Sequence, residues 1–167
     1  MGSGERVAGG GWRVAGGGTE GLSVYGFSVK PLAAVLHDDG MEAGAPDDAA
    51  LDGYRGLRAW QVAMDLVVES YRVVKLLPGD ERFELARQIT CAAVSVPANI
   101  AEGYGRLRRG EYLNHLSIAR GSLKELETLL TIAERLGYVT AGELASSAEL
   151  CDHVSRMLTR LTRSLRA

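Results

Sequence analysis

The sequence has few aromatic, proline and cysteine residues, and it lacks any long apolar run. Aromatic residues make up 6% of the 167 positions, and the chain holds four prolines and two cysteines. No stretch approaches the roughly 20 uninterrupted apolar residues of a membrane-spanning helix, which excludes a transmembrane protein. Without a secretion signal, a reducing, cytoplasmic compartment is expected, and a disulfide is disfavoured there. The 46% hydrophobic and 24% charged residues exclude a wholly disordered chain, and the length predicts one domain.

The net charge of −2 hides a division of the chain. Residues 1–52 hold 12 of the 21 glycines and carry 3 basic and 8 acidic side chains, whereas residues 53–167 carry 16 basic and 13 acidic side chains. The first segment also contains Arg-Val-Ala-Gly-Gly-Gly twice, at 6–11 and 13–18. Triple glycines lose much conformational entropy on folding and bury no side chain, so residues 1–52 are predicted to be a flexible, disordered leader. Within it, Val24 to Val29 favours a short extended segment.

Two other interpretations of the leader are open to test. The glycine-rich string has no preceding strand, no following helix and no Lys-Ser/Thr pair, which argues against a phosphate loop. Met41 offers a second translation start, and we hypothesise that residues 1–40 are not translated, because the repeat is typical of translated repetitive DNA. An intact mass equal to that of the full chain, less at most its first Met, would contradict this hypothesis.

The rest of the chain has the apolar periodicity of four amphipathic helices. They are predicted at about 56–77, 81–102, 109–136 and 140–165, and their short connections predict an all-α, antiparallel up-down-up-down four-helix bundle over residues 53–167. The predicted inward residues are Leu57, Trp60, Met64, Val67, Tyr71 and Val74 in the first helix, Phe83, Ala86, Ile89 or Thr90, Ala93, Val96 and Ile100 in the second, Tyr112, Leu116, Ala119, Leu123, Leu126, Leu130 and Ala133 in the third, and Leu144, Ala148, Cys151, Val154, Leu158, Leu161 and Leu165 in the fourth. Leu129, Ile132 and Leu136 add apolar surface to the third helix, which favours a wide core or a subunit interface.

Local signals mark several helix ends. Asp80 is a candidate N-cap of the second helix. Gly137 is predicted to close the third helix. Thr140, with Glu143 three residues later, matches the capping box at the start of the fourth helix.

The sequence offers little catalytic or metal-binding chemistry. Its histidines are His37, His115 and His153, and Cys151 lies two residues before the last of them, a spacing that puts the pair on different sides of a helix. The Glu-x-x-His pattern of di-iron bundles is absent. Cys91 and Cys151 lie on apolar helix stripes and are interpreted as small buried hydrophobes. These patterns predict a protein without enzymatic activity, cofactor or metal.

Basic charge is the remaining functional signal. Arginines cluster at the turn between the second and third helices, and others share one face of the fourth helix. A one-sided basic surface is the footprint of polyanion binding, although the helix dipole also favours cations near a helix C-terminus. The candidate nucleic-acid-binding residues are Arg106, Arg108, Arg109, Arg120, Lys124, Arg156, Arg160 and Arg163. An oligomeric protein that binds RNA or DNA and a structural or protein-interaction scaffold with solvated basic faces both stay open.

The second and third helices carry a resemblance to a known family. The run Ser95-Val-Pro-Ala-Asn-Ile-Ala-Glu-Gly103, with Trp60-Gln61 before it and Ile118-Ala-Arg-Gly121 after it, resembles the small bacterial four-helix-bundle family associated with intervening sequences of 23S ribosomal RNA genes. The match covers about residues 54–165. The resemblance implies a left-handed bundle and a homopentamer. Similar accessory proteins of diversity-generating retroelements bind nucleic acid and a reverse transcriptase, which the resemblance implies as partners here.

The signature run contains polar residues around a proline. Ser95, Asn99 and Glu102 share one face of the second helix near Pro97, which is expected to kink the helix. In a structural interpretation, their side chains satisfy backbone groups freed by the proline, or bond to Arg106 or the third helix. In a functional interpretation, they form a polar pocket or a subunit contact.

Two glycines of the signature have different predicted roles. Gly103 belongs to the stop of the second helix. Gly121 lies in the middle of the third helix, where glycine costs about 1 kcal/mol relative to alanine. A close approach of a neighbouring helix is therefore predicted at Gly121.

Overall fold

The computed structural model describes residues 23–24, 27–28 and 53–167. Four helices account for most of the last range: α1 (Arg58–Val73), α2 (Leu85–Tyr104), α3 (Arg109–Arg135) and α4 (Ala141–Arg166). Single 3-10 turns, Gly53–Gly56 and Gly79–Arg82, precede α1 and α2. Both α1 and α3 contact α2 and α4. The short connections make neighbouring helices antiparallel, so the predicted four-helix bundle is confirmed.

Most of the predicted disordered leader lies outside the described residues. Within it, β1 (Ser23–Val24) and β2 (Phe27–Ser28) form an antiparallel pair. This pair falls in the segment predicted to be extended. The repeat and the proposed start at Met41 lie outside the described residues.

One hydrophobic core runs between the four helices. The apolar seam predicted for α3 is buried except at Tyr112, which is partly exposed. Its buried members are Leu116, Ala119, Leu123, Leu126, Leu130 and Ala133. Four residues predicted for α4 are also buried, namely Leu144, Cys151, Val154 and Leu158. Ala148 is exposed, because the buried stripe of α4 passes through Ser147 and Leu150 instead.

The inward face predicted for α1 is wrong at two of its six positions. Met64 is 38% exposed and Tyr71 is 49% exposed, whereas the other four predicted residues are partly buried against the core. A stripe of smaller residues, rotated by roughly 100° around the helix axis, supplies the fully buried contacts. Those residues are Ala59, Val62, Ala63, Leu66, Ser70 and Val73. Both stripes repeat at three- and four-residue spacings, so periodicity does not choose between them.

The start of α2 also differs from the prediction. The helix begins at Leu85, after the 3-10 turn, and its N-cap is Glu84, with no side-chain capping bond. Asp80 is therefore not the N-cap, and Phe83 points outward with 75% exposure. Four other residues of α2 that were predicted to face inward are buried, and Ala86 is partly buried against the core. The four are Ile89, Ala93, Val96 and Ile100.

The turn between α3 and α4 follows the predicted chemistry. Gly137 takes a φ of 73°, and the N–H of Tyr138 donates to the carbonyl oxygen of Ala133 at 3.0 Å, which closes α3 in a Schellman motif. At the start of α4, Thr140 Oγ1 accepts from the N–H of Glu143 at 3.3 Å. The Glu143 carboxylate accepts in return from the N–H of Thr140 at 2.8 Å, so the capping box is confirmed.

Candidate nucleic-acid interface

The antiparallel chain path divides the bundle into two halves of opposite charge. Cutting each helix at its midpoint places residues 53–65, 95–122 and 154–167 in one half, and residues 66–94 and 123–153 in the other. The first, which we call the arginine-rich half, has ten basic residues, all arginines, and three acidic residues, a formal charge of +7. The second, the acidic half, has six basic and ten acidic residues, a formal charge of −4.

Seven of the eight candidate residues lie in the arginine-rich half. They are Arg106, Arg108, Arg109, Arg120, Arg156, Arg160 and Arg163. Lys124 lies just beyond the midpoint of α3 and pairs with Glu127 at 2.7 Å. The candidate set omits Arg55, Arg58 and Arg166, which the antiparallel chain path brings to the same half. Combining the helix order with the charge of each helix half would have found them.

Arginines of α3 and α4 form one continuous face. Arg120 Nη2 donates to Thr159 Oγ1 across the boundary between the two helices at 3.2 Å. Arg109 lies three helical turns before Arg120 and therefore on the same side of α3. Three arginines repeat at four- and three-residue spacings along α4, beside Thr159. They are Arg156, Arg160 and Arg163.

Few of the candidate arginines are neutralised by a neighbour. Arg106 pairs with Glu102, and Arg156 pairs with Asp152 at 3.2 Å. Both pairs are exposed, and such pairs hold their partners weakly. Five candidates form no ion pair with any described residue: Arg108, Arg109, Arg120, Arg160 and Arg163, of which Arg120 is hydrogen-bonded to Thr159. Their charge is fully available to a ligand.

An open cleft of about 500 Å³ separates α3 from α4 where the basic face meets the acidic half. Leu130, Leu144 and Cys151 line it from the core side. Burial raises the pKa of the Cys151 thiol to about 12, which keeps it protonated and unreactive.

Cys91 is exposed, so its interpretation as a buried hydrophobe is wrong; it lies on the outward face of α2. Both cysteines are free thiols.

A chain of polar side chains connects the bundle interior to the turn between α2 and α3. Ser95 Oγ lies 2.8 Å from Ser122 Oγ, and Asn99 Nδ2 donates to the carbonyl oxygen of Ser95 at 2.8 Å. Asn99 Oδ1 lies 3.1 Å from His115 Nδ1, and Arg106 Nε donates to His115 Nε2 at 3.2 Å. We call these five side chains the polar relay. These contacts agree with the structural interpretation in which side chains of the signature hydrogen-bond to α3: Ser95 bonds to Ser122 and Asn99 bonds to His115. Arg106 joins the same network through His115.

The remaining polar residue of the signature meets the end of the relay. Glu102 accepts from Arg106 Nη2, and its carboxylate lies 3.7 Å from His115 Nε2. Pro97 is buried inside α2, which continues beyond it to Tyr104. The signature therefore places Glu102 directly against Arg106, and Asn99 against the histidine that also contacts this arginine.

The close helix approach occurs at Gly103 and not at Gly121. A Cβ atom on Gly103 would lie 2.7 Å from Tyr112 Cδ2 and 2.8 Å from His115 Cβ. At Gly121, no heavy atom of the described chain lies within 4 Å of such a Cβ. The predicted close packing at Gly121 is therefore wrong, because this residue lies on the outward face of α3. Sequence reasoning gave Gly103 only the role of a helix stop.

Several large apolar side chains remain on the outside of the bundle. Those between 38% and 55% exposed are Met64, Val68 and Tyr71 on α1, Leu76 after α1, Val94 and Tyr104 on α2, Ile118 and Ile132 on α3, and Leu136 at the C-cap of α3. The α1 residues repeat at spacings of four and three and form an outward stripe. Of the extra apolar residues of α3, Leu129 belongs to the core. The exposed set leaves apolar area for a contact with another chain.

The described residues hold no group of three or more His, Cys, Asp and Glu side chains placed to bind a metal ion. In the same part of the chain, no helix combines the length and the apolar character needed to cross a membrane.

The sequence matches the model of a known protein family. The family model described as the 23S rRNA-intervening sequence protein matches residues 55–160. This chain belongs to that family. The match spans α1 to α3 and most of α4, and the family resemblance seen in the signature is confirmed.

A solved structure shares the fold. It is a protein of unknown function from the S23 ribosomal protein family of Bacteroides thetaiotaomicron, with 23% sequence identity and a TM-score of 0.58. The likeness covers 62% of this chain and 97% of that chain. Comparison with curated proteins gave no match. The similarity to retroelement accessory proteins, and with it a reverse transcriptase partner, stays a prediction.

Proposed function

We propose that this member of the 23S rRNA-intervening sequence protein family binds nucleic acid through its arginine-rich half. The observation that carries the proposal is the concentration of ten arginines against three acidic residues in that half. A guanidinium group stays charged at physiological pH and presents forked N–H donors that match phosphate oxygens. A local charge of +7 attracts a polyanion even though the whole chain carries −2.

Helix dipoles explain part of this arginine distribution. Arg106 follows the end of α2 and Arg163 lies in the last turn of α4, where a dipole favours cations. Arg58, Arg108 and Arg109 lie at the starts of α1 and α3, where the dipole opposes them. Arginines held against the dipole, with no ion pair at Arg108 or Arg109, support a ligand-binding role.

The size of the arginine-rich half fits several phosphates at once. Two helices side by side are about 20 Å wide. Duplex DNA carries one charge per roughly 1.7 Å of its axis, so this width spans about a dozen phosphates. Arginines at the end of the bundle and along the α3–α4 face can therefore contact several phosphates of one ligand.

We also propose that copies of the chain associate through the exposed apolar stripe of α1. The stripe supports a protein contact, and the family resemblance suggests a pentamer. A ring would multiply the local positive charge. Light scattering after gel filtration tests this: an assembly is expected, and a monomer at micromolar concentration would contradict it. The same stripe would serve the alternative function, a protein-interaction scaffold.

A salt titration separates nucleic-acid binding from the scaffold alternative. Fluorescence anisotropy is measured with a 30-nucleotide RNA and a duplex DNA of equal length between 0.05 and 0.5 M salt. Replacing four unpaired arginines with Gln is expected to lower the slope of log affinity against log salt by about 2.8 for the RNA and about 3.6 for the duplex DNA, and the affinity at 0.1 M on the order of a thousandfold. The four are Arg108, Arg109, Arg160 and Arg163.

A matched control removes the same number of charges from the acidic half. Its Gln replacements are at Arg72, Lys75, Arg87 and Arg135, and affinity close to that of the unmodified protein is expected. Equal losses in both variants, affinity indifferent to salt, or no binding at low salt would contradict the proposal. The scaffold function would then be the better explanation of the exposed apolar stripe.

A further inference from the structure

The polar relay ends on an arginine of the candidate interface. The His115 side chain is 13% exposed and that of Arg106 is 44% exposed, so the relay runs from the interior to the surface. We propose that Asn99 and His115 are positioning residues that hold the guanidinium of Arg106 for a phosphate of the bound nucleic acid. This inference rests on the proposed function and adds a mechanism to it.

The directions of the hydrogen bonds determine which nitrogen of His115 carries the proton. Asn99 Nδ2 donates to the carbonyl oxygen of Ser95, so Asn99 Oδ1 is the acceptor that faces His115 Nδ1. An acceptor at that place requires a proton on Nδ1. His115 Nε2 is then unprotonated and accepts from Arg106 Nε at 3.2 Å. Each member sets the donor or acceptor role of the next, and the arginine is held by a neutral imidazole.

The signature run and the packing of α3 keep this arrangement in place. The interior end is anchored at Ser122, which is 9% exposed and bonded to Ser95. Gly103 leaves room for His115, because a side chain at 103 would lie 2.8 Å from His115 Cβ. Helix contact as well as hydrogen bonding therefore fixes the imidazole. The fixed position of the imidazole therefore sets the position of the Arg106 guanidinium.

Arg106 keeps donors for a ligand while it is held. Its Nε donates to His115 and its Nη2 to Glu102. Within the described chain, Nη1 makes no hydrogen bond, which leaves its two N–H groups for a phosphate oxygen. An arginine that is already ordered loses less conformational entropy when it binds than a mobile one.

The test uses the salt dependence of RNA binding at pH 8.0. His115→Ala removes no positive charge, because the imidazole of the relay is neutral. If His115 positions Arg106, the variant still loses one phosphate contact. The slope of log affinity against log salt is then expected to fall by about 0.7 to 0.9, and the affinity at 0.1 M by about five- to tenfold. Arg106→Ala is expected to give the same loss.

A double-mutant cycle shows whether His115 acts through Arg106. The variant with both alanines is expected to bind no more weakly than Arg106→Ala alone. His115→Gln, which returns an acceptor near the position of Nε2, is expected to restore the slope. His153→Ala on α4 is the control and is expected to leave the slope unchanged. If His115→Ala does not fold, Asn99→Ala gives the second measurement, with a slope reduced in the same direction.

The outcomes distinguish this inference from the function on which it rests. Absence of salt-dependent RNA binding by the unmodified protein overturns the proposed function. Salt-dependent binding by the unmodified protein with an unchanged slope in folded His115→Ala or Asn99→Ala overturns the positioning role alone. Additive losses from His115→Ala and Arg106→Ala overturn it as well.

Discussion

The two halves of the bundle differ in how the charged side chains at their helix ends are oriented relative to the helix dipole. In the acidic half, Glu84 precedes α2 and Glu143 lies in the first turn of α4. Arg72 and Arg135 lie in the last turns of α1 and α3. All four charges complement the helix dipole. In the arginine-rich half, Glu111 in the first turn of α3 and Arg163 in the last turn of α4 also complement it, but the arginines at the starts of α1 and α3 oppose it.

Under the proposed function, the arginines that oppose the dipole are explained by ligand binding, and the charges of the acidic half by helix stability. The acidic half also has the complete capping box at α4, while α2 in the same half and α3 in the other begin without a side-chain capping bond. Local conflicts with stability are expected at functional sites and not elsewhere. Four substitutions or pairs of substitutions test the helix contacts, caps and charges of the two halves.

The largest effect is expected at the closest helix contact, in the arginine-rich half. Gly103→Ala is expected to lower the free energy of unfolding by about 2 kcal/mol, because the new Cβ would press on Tyr112 and His115. Gly121→Ala makes the same chemical change in an open place, so unchanged stability or a gain of up to about 1 kcal/mol is expected. Urea unfolding measures both. Equal losses would show that helix contact does not distinguish the two sites.

The helix starts give a direct comparison between the halves. Thr140→Ala is expected to destabilise the protein by about 1 kcal/mol, because it removes the cap of α4. Arg108→Ala changes the N-cap of α3, which has no side-chain capping bond, and no loss is expected. Chemical denaturation of both variants at neutral pH provides the measurement. A loss at Arg108 as large as that at Thr140 would contradict the proposed difference.

A smaller, pH-dependent effect is expected from the same cap. The backbone N–H of Thr140, helped by its hydroxyl, lowers the pKa of Glu143 from 4.5. A carboxyl with a lowered pKa in the folded state stabilises the fold above its unfolded-state pKa and loses that contribution as the pH falls through the folded-state pKa. Glu143→Gln is expected to flatten the stability profile between pH 6 and pH 3. An unchanged profile would mean that other carboxyls dominate acid unfolding.

The smallest effects are expected from single charges at helix starts. Arg109→Gln removes a cation from the start of α3 and is expected to stabilise the protein by about 0.3 to 0.5 kcal/mol at low salt. Glu84→Gln removes an anion from the start of α2 and is expected to destabilise it by a similar amount. Both effects are expected to shrink at 1 M salt, because exposed charges are screened. The same sign for both substitutions would remove the distinction between the halves.

The buried face of a helix was predicted correctly where only one of its faces is apolar. The seam of α3 stands out because charged residues separate its leucines, and it was predicted correctly from Leu116 to Ala133. The first helix carries two adjacent apolar stripes. Choosing the larger side chains placed Met64 and Tyr71 inside, where the structure has Ala63 and Ser70. Side-chain size is a poor guide where neighbouring helices pack closely.

Sequence spacing predicted most arginines of the candidate site, but it did not predict which side chains contact one another. The arginines near the α2–α3 turn and along α4 were identified from their spacing. The polar relay was missed, because Asn99 and His115 are 16 residues apart and meet only when α2 and α3 pack together. For the same reason, no partner of His115 could be predicted from the sequence.

The sequence by itself determined the four helices, the turn at Gly137, the cap at Thr140 and the family, because these depend on local spacing and on a contiguous signature. Tertiary structure decided which stripe of α1 faces inward and that Gly103, not Gly121, is the close contact. It also decided that ten arginines gather in one half of the bundle. Antiparallel packing brings together helix ends that are distant in the chain. The local charge density and the helix contacts depend on distances in space, which the order of residues alone does not give.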